Sequence, residues 1–320
     1  NNTYNTVARY VITLVVRDDN GSPVCESSFS DTVTVLPKPL AGFVRDKVNP
    51  STLCSPTGMR IIGRGSQGAN AYTWNFTDGS LPIFATDTVP FFKTFFNNGT
   101  TILPYGIELI VSNSFGCTDT ASETINIRPK VVAGATVDKL IECSPLISNF
   151  TNTSSPSAVG FTWYRDGIPV FFNKDLPSQT FLNNSASDTA KYSVFVVARG
   201  QGDVCTDTSS VLSLKVLPKP NVVISASPTN GCSPLSVELS AVGSTGGLTY
   251  TWFVKKTSDT AFVQVQSSSS PAPFSTTLFN SSLSAVNYLV KVVVTGLGGC
   301  SDSAQTNVTV FPDVSPSFTP

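Results

Sequence analysis

The chain has 320 residues, about twice the length of a typical domain, which indicates two or three domains. Its 20 lysine and arginine residues are balanced by 21 acidic residues, so it lacks the basic surface that would bind nucleic acid or an anionic membrane. It contains no histidine, the commonest general base and a usual zinc ligand. The composition argues against most enzyme chemistry and predicts no cofactor and no metal site.

The remaining composition predicts an all-β protein. Only 13% of residues are charged and there is a single methionine, whereas valine, threonine, serine, phenylalanine and asparagine are abundant. Such a mixture favours strands and turns over long surface helices. No apolar run reaches the roughly 18 residues of a membrane span, so none is expected in this segment. No secretion-signal pattern opens the chain, and because it begins and ends within a repeating pattern we expect it to be part of a longer protein.

A repeat of about 90 residues organises the chain. Three tryptophans recur at intervals of 89 residues: Trp74, Trp163 and Trp252. Each lies 20 residues after the cysteine of a Cys-Ser-Pro triplet: Cys54, Cys143 and Cys232. A second series of cysteines lies later in each unit: Cys25, Cys117, Cys205 and Cys300. Proline-containing joints at 36–39, 128–130, 217–220 and 311–313 close the units. These joints predict the end of a truncated repeat (1–37), three whole repeats (38–129, 130–218, 219–312) and the start of another (313–320).

Each unit is expected to form short strands separated by turns, as in an immunoglobulin-like β-sandwich. Its most apolar strand begins at a tyrosine: Tyr10, Tyr105, Tyr192 or Tyr288. A turn with glycine and cysteine follows, and then an alternating strand that stops at the proline joint. This pair corresponds to the F–G hairpin, and the tryptophan lies on the earlier strand C. The tryptophans and tyrosines are therefore the expected core anchors. The fold class predicted is a tandem, elongated array of immunoglobulin-like sandwiches.

One motif points to a known family. The run Trp74-Asn-Phe-Thr-Asp78-Gly79 resembles the Trp-Asp-Phe-Gly-Asp-Gly signature of polycystic kidney disease (PKD) domains. The Cys-Ser-Pro triplets and the later Gly-Cys-Ser-Asp-Ser sequence resemble PKD-like repeats of Bacteroidetes surface proteins. The resemblance covers the whole chain and implies a cell-surface gliding-motility adhesin exported by the type IX system. The middle and last repeats depart from the signature after Trp163 and Trp252.

Seven cysteines without histidine indicate disulfides in an exported protein. Pairing within repeats would join Cys54 to Cys117, Cys143 to Cys205 and Cys232 to Cys300, and leave Cys25. In an immunoglobulin-like sandwich, however, the F–G turn lies at the end opposite the start of strand B, roughly 20 Å away. A staggered alternative joins neighbouring repeats through Cys54–Cys205 and Cys143–Cys300, and leaves Cys25, Cys117 and Cys232 for neighbours outside the segment.

Other candidate sites are weaker. Asp-Thr and Asp-Ser sequences followed by a small or apolar residue are similar to a Bacteroidetes O-glycosylation motif, with these acceptors: Thr32, Thr88, Thr120, Thr189, Thr260 and Ser303. The same residues also suit the end of a turn. Asp78 and the run 18–21 favour turns over calcium, which needs six to eight converging oxygens. The phenylalanines at 91–96 are expected to cover a sandwich edge, with a glycan or partner patch as the alternative.

The function predicted is non-enzymatic: a rigid stalk segment of a large extracellular adhesin on the bacterial surface, used for gliding or attachment. Its partners would be neighbouring repeats of the same chain, and surface polysaccharide or other motility proteins. Two alternatives remain at this stage. One is an accessory array of a secreted polysaccharide- or protein-degrading enzyme, which would require an adjoining catalytic domain, and the other is a glycan-binding module, which would require a repeat-specific groove.

Overall fold

A computed structural model describes residues 6–18, 20, 23, 25–46, 53–86 and 88–314. Within these ranges the chain forms 27 β-strands and short 3-10 turns but no α-helix. The all-β prediction is confirmed. The chain divides into two compact units, one of Asn1–Ala133, Ser154–Gly160 and Ala198–Asp207, the other of Gly134–Thr153, Phe161–Val197 and Thr208–Pro320.

The first unit begins with a hairpin and then a β-sandwich. Its strands are β1 (Ala8–Asp18), β2 (Cys25–Val35), β3 (Val44–Arg45), β4 (Thr57–Ile62), β5 (Ala71–Phe76), β6 (Ile83–Ala85), β7 (Phe91–Phe95), β8 (Leu103–Ser112) and β9 (Thr118–Ile127). One sheet has the order β3-β4-β7 and the other β6-β5-β8-β9. Inward residues alternate along each strand, because successive side chains of a strand point to opposite faces. The core contains Met59, Ile61, Trp74, Phe95, Ile107 and Leu109.

The later strands make up the middle and last repeats. They are β10 (Ala135–Val137), β11 (Ile141–Cys143), β12 (Leu146–Ser148), β13 (Phe150–Asn152), β14 (Gly160–Arg165), β15 (Ile168–Phe171), β16 (Gln179–Phe181), β17 (Ala190–Arg199), β18 (Thr206–Thr208), β19 (Leu212–Leu217), β20 (Ser225–Ser227), β21 (Asn230–Cys232), β22 (Leu235–Ser240), β23 (Gly247–Lys256), β24 (Val263–Ser268), β25 (Phe274–Leu278), β26 (Val286–Gly296) and β27 (Ser301–Phe311).

The second unit contains the whole last repeat, a sandwich of the sheets β20-β22-β25 and β21-β27-β26-β23-β24. Its core includes Leu239, Trp252, Val290, Val292 and Val294, which are buried. The middle repeat has two short two-stranded sheets, β10-β13 and β12-β16, and a larger sheet ordered β11-β19-β17-β14-β15, with β18 paired to β17. Every sheet among the described residues draws its strands from one sequence repeat.

The first hairpin differs from its counterparts. Strands β1 and β2 pair over their full length, from Ala8 opposite Val35 to Asp18 opposite Cys25. Among the described residues these two strands form a sheet by themselves, with no third strand paired to them. Tyr10 is consequently 51% exposed. The expectation that Tyr10 is a core anchor does not hold in this structure, since an anchor needs an opposing sheet.

Candidate functional site

The tryptophans lie on β5, β14 and β23 and are buried, as Trp74, Trp163 and Trp252. The tyrosines of the whole repeats begin or nearly begin the long strands β8, β17 and β26. Each tyrosine hydroxyl donates to a backbone carbonyl upstream: Tyr105 to Phe96, Tyr192 to Leu182 at 2.5 Å and Tyr288 to Phe279 at 2.6 Å. Tyr105 and Tyr288 are buried and Tyr192 is half-buried. These contacts tie one loop of each sandwich to its core.

Each Cys-Ser-Pro cysteine lies at the end of its repeat where the last strand finishes. The pairing is parallel in all three repeats: Cys54 with Arg128, Cys143 with Leu217 and Cys232 with Phe311. The serine that follows donates its N–H to the same residue of the last strand, at 3.0 Å each time. The short parallel segment therefore places a cysteine at the end of the repeat that is adjacent to the next joint.

The cysteines of the second series lie at the opposite end: Cys117, Cys205 and Cys300 lie in the turn that follows the long strand, and Cys25 is the first residue of β2. In two repeats this turn contains a short 3-10 segment, Gln201–Asp203 or Leu297–Gly299. Gly200 donates its N–H to the carbonyl of Cys205, and Gly296 donates to Cys300, both at 2.7 Å. Both cysteines are buried. The side chains of these two cysteines are thus shielded from solvent.

The structure joins these two kinds of cysteine across repeats. Cys54 is bonded to Cys205 with Cα atoms 5.7 Å apart, and Cys143 is bonded to Cys300 with Cα atoms 5.6 Å apart. Both separations lie within the range of about 4.4–6.8 Å that disulfides use. These are the pairs of the staggered scheme. Each bridge lies inside one of the two compact units.

The within-repeat pairs do not occur, and the geometry gives the reason. Cys54 pairs with Arg128 beyond the end of β9, whereas Cys117 precedes its first residue. Ten strand residues at roughly 3.4 Å separate the two ends by about 30 Å, far beyond the reach of a disulfide. Cys54–Cys117, Cys143–Cys205 and Cys232–Cys300 are therefore the wrong pairs for this fold. Three cysteines have free thiols: Cys25, Cys117 and Cys232.

Polar contacts surround the Cys54–Cys205 bridge. Arg128 donates from Nη1 to the carbonyl of Gln201 at 2.7 Å, and Ala133 donates its N–H to the Asp207 carboxylate at 2.8 Å. Arg128 and Cys205 also line a cavity of about 330 Å³. The bridge is thus flanked by polar contacts and by a cavity.

Close backbone packing surrounds the Cys143–Cys300 bridge. A Cβ atom placed on Gly298 would lie 2.5 Å from Leu217 Cδ1, and one on Gly246 would overlap the carbonyl oxygen of Ala186. A Cβ on Gly296 would lie 2.9 Å from Pro220 Cγ. Glycine suits these three positions because other segments of the same protein chain approach them closely.

The aspartate of each Cys-Thr-Asp-Thr or Cys-Ser-Asp-Ser sequence contacts the preceding proline joint or the residues just after it. Lys38 approaches Asp119 at 2.7 Å and Lys219 approaches Asp302 at 3.2 Å, while Asp207 binds Ala133. Hydrogen bonds from Lys38 and then from the Ala41 N–H lower the pKa of Asp119. The aspartates of this motif therefore have a structural partner, independent of any modification.

The six proposed acceptor hydroxyls lie on the surface. Thr189 is half-buried, and the other five are exposed: Thr32, Thr88, Thr120, Thr260 and Ser303. Asp87, which precedes Thr88 in the motif, lies outside the described residues. Their positions leave these side chains accessible to a glycosyltransferase.

The remaining candidates take up ordinary structural contacts. Burial acts to raise the pKa of Asp78, but hydrogen bonds from Lys93 and Ser80 outweigh it and lower the pKa. Lys93 also forms an ion pair with Asp78 at 2.7 Å, so the carboxylate is neutralised by a lysine. In the phenylalanine run, Phe95 is fully buried in the core, whereas Phe92 is 73% exposed.

Sequence reasoning missed one set of residues, a polar cluster beside the Cys-Ser-Pro turns. Its centre in each repeat is an asparagine: Asn97, Asn183 and Asn280. Each precedes the strand-opening tyrosine by eight or nine residues and follows a buried Phe or Leu by two. That spacing is visible in the sequence and was the available signal.

The sequence matches no known protein-family profile and no curated protein. Several solved structures are similar to it. The fibronectin(III)-like modules of Clostridium thermocellum CbhA are 15% identical, covering 56% of this chain and 94% of that one, with a TM-score of 0.28. Part of a 1.5-MDa bacterial ice-binding adhesin is 12% identical (87% and 99% covered, TM-score 0.30). Titin domains A168–A170 are 15% identical (85% and 99% covered, TM-score 0.30). Similarity at this level assigns neither a family nor a function.

Proposed function

We propose that this segment is a structural spacer in an extracellular adhesin, in which disulfides clamp consecutive repeats together. The observation that carries the proposal is the pairing of Cys54 with Cys205 and of Cys143 with Cys300, each between neighbouring sequence repeats. Disulfides persist in oxidising compartments, which supports an exported protein. None of the described segments forms an apolar helix of membrane-spanning length.

The bridges add a covalent path beside each linker. A linker of three or four residues with proline is stiff, but ordinary domain interfaces still allow hinge motion. A bond from the end of one repeat to a turn of the next restrains that hinge at a second point. A chain with two attachments at each joint transmits force and resists bending better than one held by linkers alone.

The finer assignment is part of the same proposal. We assign residues 38–129, 130–218 and 219–312 to PKD-like domains and residues 1–37 to the end of a further one. The protein would belong to a bacterial cell-surface adhesin used for gliding motility and exported by the type IX system, with O-glycans on the exposed hydroxyls. Cys25, Cys117 and Cys232 would continue the staggered pattern with additional repeats. The segment itself would have no enzymatic activity.

The first test is peptide mapping of the purified, non-reduced protein. We expect one linked peptide pair containing Cys54 and Cys205 and another containing Cys143 and Cys300. A linked pair containing Cys54 and Cys117 would contradict both the staggered bridges and the clamp.

The second test measures hinge motion by single-molecule fluorescence transfer. Fluorophores carried by unnatural amino acids would replace Leu81 and Phe172, two exposed residues in different repeats. We expect the transfer distribution to broaden when the bridges are reduced, because each joint then has one attachment. The double variant Cys54→Ser, Cys205→Ser should give the broad distribution without reductant. Equal widths in the oxidised and reduced protein would show that the bridges do not clamp the repeats.

A further inference from the structure

The Cys-Ser-Pro turn of each repeat is held by the same hydrogen-bond cluster, whose serine and asparagine are buried in the first and last whole repeats and half-buried in the middle one. The backbone N–H of an asparagine donates to the hydroxyl of the triplet serine: Asn97 to Ser55 at 2.7 Å, Asn183 to Ser144 at 3.0 Å and Asn280 to Ser233 at 3.0 Å. The serine is the residue next to the cysteine. Because consecutive Cα atoms lie about 3.8 Å apart, a restraint on the serine also limits where the cysteine Cα can lie.

The asparagine side chain fixes the loop that carries this N–H. Its Nδ2 donates at 2.8 Å to a carbonyl near the end of the last strand: Ile127, Val216 or Val310. The same nitrogen donates to a carbonyl of its own loop: Thr101, Asp188 or Ser284. Its Oδ1 accepts the N–H two residues later, at 2.9 Å in every repeat. Through its side chain and its backbone N–H, each asparagine thus ties its own loop to the last strand and to the Cys-Ser-Pro turn, and leaving these polar groups unpaired would be costly.

The last repeat separates the cluster from the bridge. Cys232 has a free thiol and is exposed, yet Asn280 makes the same contacts as Asn97 and Asn183. The cluster therefore does not depend on a disulfide. It belongs to the repeat and is in place before the thiol meets a partner.

We propose that Asn97 and Asn183 are positioning residues for the bridges, acting through Ser55 and Ser144 to hold Cys54 and Cys143 within bonding range of their partners. The inference rests on the bridges of the proposed function. A disulfide tolerates only a narrow range of Cα separations and directions. Restraining one cysteine in advance raises its effective concentration toward the partner thiol, as for any preorganised pair.

The test is the equilibrium of each bridge with glutathione. Oxidised glutathione accepts the electrons: its S–S bond breaks, the bond between the two Sγ atoms forms, and the two thiol protons end on two reduced glutathiones. Mass-tagged free thiols, located by peptide mapping, report each bridge separately. We expect Asn97→Ala to lower the equilibrium constant of Cys54–Cys205 about tenfold and Asn183→Ala to do the same for Cys143–Cys300. Ser55→Ala, which removes only the hydroxyl, should act in the same direction as Asn97→Ala.

Two controls distinguish positioning from a general loss of stability. Asn280→Ala removes the same hydrogen bonds from the repeat that holds Cys300, but Cys300 lies in the turn at the other end. We expect it to leave both bridges unchanged, whereas a stability effect would weaken Cys143–Cys300. Asn98→Ala, at an exposed neighbour, should change nothing.

Either of two results would overturn the inference: an effect of Asn280→Ala on Cys143–Cys300 equal to that of Asn183→Ala, or unchanged equilibria in both Asn97→Ala and Asn183→Ala. If the unmodified protein forms no Cys54–Cys205 bridge, the proposed function fails instead.

Discussion

The Cys54–Cys205 and Cys143–Cys300 bridges connect equivalent positions but lie in different surroundings. Residue 128 and residue 217 are equivalent, each paired with the cysteine of its Cys-Ser-Pro triplet. At the first bridge this residue is Arg128, which donates to the Gln201 carbonyl beside a cavity. At the second it is Leu217, which packs against Gly298. The same covalent link thus occurs beside a cavity at the first joint and beside closely packed glycines at the second.

This difference shows where the joints tolerate sequence change. A disulfide restricts the Cα separation to about 4.4–6.8 Å, and the two bridges have nearly the same value, 5.7 and 5.6 Å. The remaining contacts need only fill or span the space that is left. At the second bridge, the glycines of the turn allow the backbone to pack closely against Leu217. At the first bridge, the long side chain of Arg128 extends to the carbonyl of Gln201.

The largest expected effect comes from Gly246→Ala near the second bridge. Gly246 has φ of +75°, and its Cβ would overlap the Ala186 carbonyl. Strain at positive φ of about 1–2 kcal/mol adds to an overpacking cost of about 1–3 kcal/mol. We expect the free energy of unfolding to fall by about 3 kcal/mol in denaturant titrations.

Gly202→Ala near the first bridge is the matched control. Gly202 has the same φ of +75°, but the nearest atom to its Cβ would be the Arg128 side chain at 3.7 Å. The free energy of unfolding of this variant should fall only by the backbone strain at positive φ, about 1–2 kcal/mol. Equal losses in the two variants would mean that the second region is not close-packed.

Exchanging the equivalent residues should have a smaller effect. Leu217→Arg places a charged side chain against Gly298 and should lower the free energy of unfolding by about 2 kcal/mol. Arg128→Leu loses one hydrogen bond to Gln201 and should cost about 1 kcal/mol, because the cavity beside it can accept an apolar side chain. Chemical denaturation of both variants shows which one loses more free energy of unfolding. The reverse order would show that the polar contacts, rather than the close packing, dominate.

The smallest expected effect is a pH dependence at the joint before the first whole repeat. Lys38 and the Ala41 N–H favour the Asp119 carboxylate and lower its folded pKa below the unfolded value. Its contribution to stability is therefore complete above the unfolded pKa of about 4 and is lost as the pH falls through the folded pKa. We expect Asp119→Asn to be less stable than the parent at neutral pH and to lose less stability on acidification. Thermal unfolding between about pH 2 and pH 6 tests this, and parallel curves for both proteins would contradict it.

Much of the fold is local and could be predicted from the sequence. Strand periodicity, the 89-residue interval between Trp74 and Trp163, and the proline joints all reflect interactions within one repeat. The two kinds of cysteine lie at opposite ends of the last strand, and the length of that strand predicts that they are too far apart to bond. A staggered pairing could therefore be considered from the sequence.

Less of the candidate site could be predicted from the sequence, because its residues are positioned by tertiary contacts. The role of Asn97 comes from its contacts with Ser55 and Ile127, which lie 42 and 30 residues away in sequence, and no local pattern shows that it reaches them. Tyr10 shows the converse. Its sequence is that of a core strand, but burial requires an opposing sheet, and the described chain provides none.

The sequence by itself determined that this is a repeated all-β chain without the residues of a histidine-dependent site, because composition and spacing set strand formation and chemistry locally. Only the tertiary structure decided which thiols meet, what surrounds each bridge and which asparagines hold the cysteines. These depend on distances across loops and between repeats, where a shift of a few ångströms decides whether a bond can form.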